Sequence, residues 1–534
     1  MAAQDRKFDF IVVGAGTAGC AVASRLSEPG HRVLLLEAGG EARSLWTRIP
    51  AGYAKLLGDP AYNWMYRTQP EPALEGRVLD VPAGRTIGGT GAINGMIYIR
   101  GHPDDYDAWR DAGNEGWGYA DVLPWFKRSE GNVRGADAFH GDGGPMPVAE
   151  ARVDALSRAF VDAAVEAGLP RNDDFNGASQ DGAGFYQLNM RAGQRASTAT
   201  AYLARARSRT NLVVVAHALV HRIVFENRRA IGVDYAHAGR VERALADEIV
   251  VCAGAFNAPQ LLLRSGVGER SELERVAIPC VHPLSGVGRN LQNHFRASVV
   301  MRCASGLSLN ERARRLSGRI GMGTAYLLAR SGPLATGTAA GGFLRSDVSG
   351  KRPDVQLVFW NYSVETRDAR GLKLHDFPGY TINATILAPH SRGSVRLSSA
   401  DPSVAPLIAY NHLADDRDAA AIGTGLAFAR RIASMPSLAG RSAGEVAPGP
   451  EVDGAASLID HARQRGSSVF HPVGTCRMGN DDLAVVDSRL RVHGIEGLRV
   501  ADASVMPTII AGNTNAATLM IAERAAAWML GDAR

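Results

Sequence analysis

Phe8 to Val13 reads as a buried strand that stops at glycine, Thr17 to Leu26 carries small and apolar residues at helical spacing, and Arg32 to Leu36 turns apolar again. Strand, helix, strand in that order predict a βαβ unit at the start of the chain. A further apolar strand over Glu248–Cys252 runs into Ala253, Gly254 and Ala255, with a helical stretch from Pro259 to Arg264 behind it. Near the end, Leu498–Ala503 reads as another strand and Asn515–Leu530 as an amphipathic helix, so both chain ends are expected in one sheet lobe. That lobe is therefore discontinuous. Gly- and Pro-rich segments at 141–148, 331–342 and 447–454 read as surface connections within a second lobe. The expected class is α/β, a Rossmann-like dinucleotide lobe joined to an α+β lobe. There is no internal repeat.

At 534 residues the chain is long enough for two or more lobes. With 46% hydrophobic and 21% charged residues the composition is globular. A formal net charge of +5 with no long basic block argues against a nucleic-acid partner. Cys20, Cys252, Cys280, Cys303 and Cys476 are odd in number and widely spaced, which points to a reducing, cytoplasmic compartment rather than a disulfide scaffold. The first residues, MAAQDRKFDFIVVGAG, carry no cleavable signal pattern, and no apolar run reaches the roughly 18–20 residues of a membrane span.

Three motifs carry chemistry. In GAGTAG, Gly14 permits a tight turn, Gly16 lets a pyrophosphate approach the backbone, and Gly19 lets helix and strand pack closely. Glu37 ends the second strand at the spacing expected of a ribose-binding acid, which disfavours a 2′-phosphate. The second motif, GRTIGGTGAINGMIYIRG from Gly84 to Gly101, can pass close to a planar ring, and its tail with Ile97 and Ile99 suits a buried strand. The third is HPVGTCRMG, His471 to Gly479, followed by AGNTNAATLMIAERAA. His471 is a candidate general base, and Asn515, at the start of the last helix, a candidate donor to the developing alkoxide.

Other signals read as structural. His102, His140, His294, His390, His461 and His493 are expected in loops or core, and His471 with Cys476 lacks the third ligand a metal needs. GRSAG at 440–444 matches a nucleophile elbow in letters but lacks the flanking strand and helix. Residues 310–330 place Arg312, Arg315 and Arg319 at helical spacing beside an apolar patch, a solvated face or a peripheral dock on anionic lipid near a quinone.

Together and in this order the three motifs resemble the glucose-methanol-choline (GMC) family of FAD oxidoreductases, over the length of the chain. Stretches such as GHPDDYDAW, DFNGASQDGAGFYQ and QRASTATAYL look most like its sorbose dehydrogenase branch, with choline and aliphatic alcohol dehydrogenases as near relatives. The resemblance implies FAD bound noncovalently, because Ile93 stands where covalently flavinylated relatives carry histidine. It assigns Gly14, Gly16, Thr17, Ala18, Gly19, Glu37 and Ala38 to the ADP half, Val220 to adenine, and Asp502 and Ala503 to the ribityl chain. Trp64, Arg85, Gly89, Asn94, Gly95, Met96 and Ile97 then surround the flavin, while His471 and Asn515 face the substrate. It implies an FAD-binding domain from 1–45, 75–110, 200–300 and 465–534. Residues 46–74, 111–199 and 301–464 are left to a substrate-binding domain on an antiparallel sheet and a flavin lid. Thr90, Gly91 and Ala92 replace the family's usual serines, Ala258 a common serine or threonine, and Asn293 a frequent aspartate. The implied activity is oxidation of a primary alcohol, a sugar such as sorbose or a small alcohol, with electrons passing to a quinone-type acceptor. An oxidase acting on choline or aryl and furan alcohols with oxygen, and a lyase with structural FAD, are the alternatives.

Overall fold

The computed structural model describes residues 7–531 except 305, 348, 369 and 370, so the first six residues, read above for a targeting signal, lie outside it. Phe8–Val13 lies between Val33–Leu36 and the long strand Arg240–Val251, parallel to both. Leu212–Val215 extends this sheet on one side and Leu498–Val500 on the other, again in parallel. Such strands are covered on both faces, so Ile11, Val12, Leu35, Val250 and Val251 have no exposed surface. The strand expected over 248–252 begins as early as Arg240. Its first half pairs antiparallel with Arg229–His237, and that strand with Leu219–Glu226. Only its last residues, Ile249–Val251 in the parallel half, form an unbroken apolar run, which is why the pattern marks the strand's end alone.

The first helix, Thr17–Ser27, packs on the terminal helix Asn515–Met529. Arg25 grips the buried Glu523 with two bonds of 2.9 Å, and Tyr202 donates to the same carboxylate at 2.6 Å. The terminal helix was expected to be amphipathic; instead it is buried on every face from Ala516 to Ala527. Its charged residues are paired inside the protein, with the Arg524 guanidinium 4.7 Å from the Trp117 ring and 4.5 Å from Trp528.

The second sheet is antiparallel throughout, in the order Ser442–Ala447, Phe295–Cys303, Gly379–Ile386, Val355–Trp360, Ala340–Leu344, Gly182–Phe185. Side chains alternate across it with the period of two that a pleated strand imposes. One face, with Val299, Leu357, Phe359, Ile382 and Ala384, packs on the helices Ala155–Glu166 and Asp416–Ser434. The other presents Arg296, Thr385 and Gln356, cross-strand neighbours in one row, to a large cavity. Ser442 of GRSAG sits in the edge strand, its hydroxyl 2.6 Å from that of Tyr380, with no elbow geometry.

Two local expectations fail. Ile97 makes only a single bridge to Leu188, so the buried alternation at 97–99 is a packed loop and not a strand. The basic stretch breaks at Arg315, whose backbone is extended, into Leu309–Arg314 and Leu316–Ala329. On the second helix Leu316, Ile320, Leu327 and Leu328 are 60–84% exposed, while Tyr326 anchors it against Ile49 and Ala335.

Candidate active site

The cavity begins at the glycine turn. Gly14 has φ +97°, and a side chain there would come within 2.6 Å of the Cys252 carbonyl oxygen. Its N–H donates to Leu36 O at 2.7 Å, tying the turn to the second strand. Gly16, Thr17 and Ala18 form the cavity wall where the first helix starts, and Gly16 supplies no side-chain cap, so backbone N–H groups face inward. Glu37 Oε2 accepts from Ala15 N and its Oε1 from Gly39 N, both at 2.8 Å. Burial pushes this carboxyl up to about 7 against the pull of those two N–H groups and of Arg85. Ala38 and Val220 line the same end.

From there the wall passes to the second glycine motif. Gly89, at φ +52°, lies so close to Gly16 that an added Cβ would be 2.6 Å from its Cα. The two loops therefore meet through bare backbone. Asn94, Gly95, Met96 and Ile97 line the cavity opposite Trp64, and Asp502 and Ala503 close it from the C-terminal segment. Asn94 Oδ1 accepts from Met96 N at 3.0 Å and from the buried Arg195 at 2.8 Å. Two residues assigned to the cofactor do not line the cavity. Gly19 faces the Gly14 carbonyl, where a Cβ would be 1.8 Å away, so it lets the helix close against the turn. Arg85 lies behind Trp64, its guanidinium 4.8 Å from that ring.

His471 stands at the far end. It follows Phe470, whose φ of +67° is costly for a non-glycine residue, about 1–2 kcal/mol. Asn293 holds the turn, accepting from His471 N at 2.7 Å while donating to Ser468 Oγ at 2.6 Å. His471 is enclosed by protein, and its accessible surface opens into the cavity. Burial first, then His294 and Arg296, hold its pKa well below the ordinary 6.5, so the ring is neutral at neutral pH.

The partners of this ring differ from expectation. Asn515 does line the cavity at the head of the terminal helix, but its Oδ1 accepts from Thr17 Oγ1 at 2.7 Å and its Nδ2 lies 3.3 Å from Asn189 Oδ1. The amide beside His471 is that of Asn513, with Nδ2 3.1 Å from Nε2. The helix start drew attention to Asn515, whereas the residue two positions earlier, still in the loop, reaches the imidazole. His294, read as structural, has Nδ1 2.9 Å from His471 Nδ1. It lies in a different segment, so no local spacing linked the two.

A phosphate-ready helix end, a ribose acid, a glycine loop stacked on it and a neutral histidine thus share one cavity. Family models described as GMC oxidoreductase match residues 8–296 and 389–522. The chain belongs to the GMC oxidoreductase family. This GMC oxidoreductase is 42% identical to the oxygen-dependent choline dehydrogenase of Paraburkholderia xenovorans strain LB400, over 98% of this chain and 94% of that protein. It is 40% identical to the alcohol dehydrogenase [acceptor] of Pseudomonas putida, over 97% and 95% of the two chains. Among solved structures it matches pyridoxine 4-oxidase of Mesorbium loti at 32% identity and TM-score 0.89, covering 98% and 99%. It also matches a formate oxidase at 26% identity and TM-score 0.92, covering 100% and 99%. As a member of the family it is an FAD-dependent oxidoreductase of CH–OH donors. Its own residues fit that cofactor: helix N–H groups for the pyrophosphate, Glu37 for the ribose, and at Gly89 a cradle that any Cβ would fill.

Proposed function

We propose that this protein is a dehydrogenase that oxidises a primary alcohol to the aldehyde. The substrate is a sugar such as sorbose or another small polar alcohol, and the acceptor is of the quinone type. The observation that carries this reading is the neutral His471 ring turned into the cavity beside the Asn513 amide. FAD would supply the hydride acceptor when bound, and Ile93 in the cavity wall offers it no side chain for a covalent link. His471 Nε2 takes the hydroxyl proton, and Asn513 Nδ2 donates to the alkoxide oxygen, which makes loss of hydride from the adjacent carbon easier.

The row Arg296, Thr385 and Gln356 supports a polyol-like substrate. Thr385 and Gln356 place polar side chains in the cavity wall beside Arg296. Among the described lining residues the acids are Glu37 and Asp502 alone, both beside the Gly14 turn, so a quaternary ammonium would find no carboxylate near His471. The exposed leucines and isoleucine of Leu316–Ala329, with Arg312, Arg315 and Arg319 nearby, support peripheral contact with an anionic inner membrane face, where a quinone is reached. No helix among the described residues is long and apolar enough to cross a membrane. Five unpaired cysteines, Cys280 alone among them not fully buried, support a cytoplasmic location.

A second reading, choline oxidation with oxygen, is favoured by the 42% identity to the Paraburkholderia protein. Anaerobic stopped-flow mixing with sugars, linear alcohols, aromatic alcohols and choline separates the two. Sugars are expected to bleach the oxidised flavin fastest, and fastest bleaching by choline selects the second reading. A spectrum that stays oxidised with every alcohol removes hydride transfer altogether. Because His471 needs only its lone pair, bleaching should hold its rate below pH 6.5 and fail further into acid.

A further inference from the structure

His294 does nothing in the reaction just described, yet it is fully buried and meets His471 edge on, with ring planes at 90° and centroids 5.2 Å apart. The contact is nitrogen to nitrogen, Nδ1 to Nδ1 at 2.9 Å. One of the two must carry a proton and the other a lone pair. Leu387 decides which. Its carbonyl, 3.2 Å from His294 Nε2, can only accept, so the His294 proton is on Nε2. Burial lowers His294 to about 4, so it holds no second proton at neutral pH and its Nδ1 is an acceptor. His471 must therefore donate from Nδ1. As a neutral ring it is left with a bare Nε2, the atom that faces Asn513 Nδ2.

We propose that His294 is a positioning residue that selects the Nδ1–H tautomer of His471, so that the Nε2 lone pair is always the one presented to the substrate hydroxyl. With no substrate bound, donors and acceptors then run in one direction, from Asn513 through His471 and His294 to the Leu387 carbonyl, and a substrate hydroxyl takes the place of the Asn513 N–H at Nε2. In the other tautomer two lone pairs would face each other at Nδ1, and an Nε2–H would oppose the Asn513 amide. When Nε2 takes the hydroxyl proton, one proton crosses from substrate oxygen to Nε2 and none moves along the chain, while Nδ1–H keeps its acceptor. The neighbouring charged and titratable groups leave this intact. Burial, with His294 and Arg296 adding to it, keeps His471 deprotonated, and His412 is itself lowered to about 3 by burial.

The spectroscopic test is independent of the proposed substrate. In holoenzyme with 15N-labelled histidine, the ring signals lost in His471→Asn should belong to a neutral imidazole protonated at Nδ1. Protonation at Nε2 overturns the inference. The kinetic test rests on the proposed role of His471 and uses the alcohol that bleaches the flavin fastest. His294→Leu should slow flavin reduction about 100-fold with substrate Kd little changed. His294→Asn, whose amide can both accept from His471 and donate to Leu387, should recover to within about 10-fold of the native rate. Equal rates for the two variants overturn the inference. Should His294→Leu fail to hold FAD, the native spectrum decides alone.

Discussion

At the nucleotide end the cavity wall is mostly main chain: Gly14, Gly16 and Gly89 approach one another through bare backbone, and Glu37 is held by two N–H groups. At the other end His471 and Asn513 present side chains to the cavity, and behind them His294 and the Leu387 carbonyl continue a hydrogen-bonded chain drawn from four segments. The first arrangement is local and tolerates no added atoms, whereas the second is non-local and tolerates no change of donor or acceptor. Damage to the two ends should therefore separate binding from turnover.

The sharpest test of that separation is His471→Ala. It should lower the rate of flavin reduction about 10²–10⁴-fold while FAD content, read from the absorbance ratio of flavin to protein, stays native. Loss of FAD would join the two ends and end the contrast. Asn513→Ala should follow at about 10²-fold on the same rate, because one donor to the developing charge is gone. Asn515→Ala should act mainly on cofactor retention, since that amide bonds Thr17 at the helix head. The reverse ranking of the two asparagines would restore Asn515 as the catalytic amide. Smaller in free energy is Gly19→Val, where the new side chain meets the Gly14 carbonyl. A loss of about 1–3 kcal/mol, measured by urea unfolding, should come with weakened FAD binding and normal reduction of whatever FAD remains.

The same contrast explains how much could be read before the fold was seen. Strand, turn and helix over Phe8–Ser27, and the acid at Glu37, follow from a period and a spacing within forty residues. The antiparallel lobe came only with the family resemblance, and the sheet bears it out. His471 was found because proline and glycine flank it. Its partners were not, because hydrogen bonds between residues 294, 471 and 513 leave no mark in local pattern. Asn515 was singled out by its place at the start of the last helix, a rule that is true of the helix and irrelevant to the imidazole, and Asn513 was not named. The terminal helix reads as amphipathic, and only tertiary partners reveal its Glu523 and Arg524 as interior.

Thr17 and Asn515 touch across 498 positions of chain, and Arg25 and Glu523 across as many. A ribosome therefore releases the first βαβ unit long before the helix that covers it has been made. Until the last stretch leaves the exit tunnel, the cavity lacks the wall that Asp502, Ala503 and Asn515 supply, so a complete flavin site awaits the end of synthesis. Polypeptides cut short before Asn515 would be left without the means to sequester flavin.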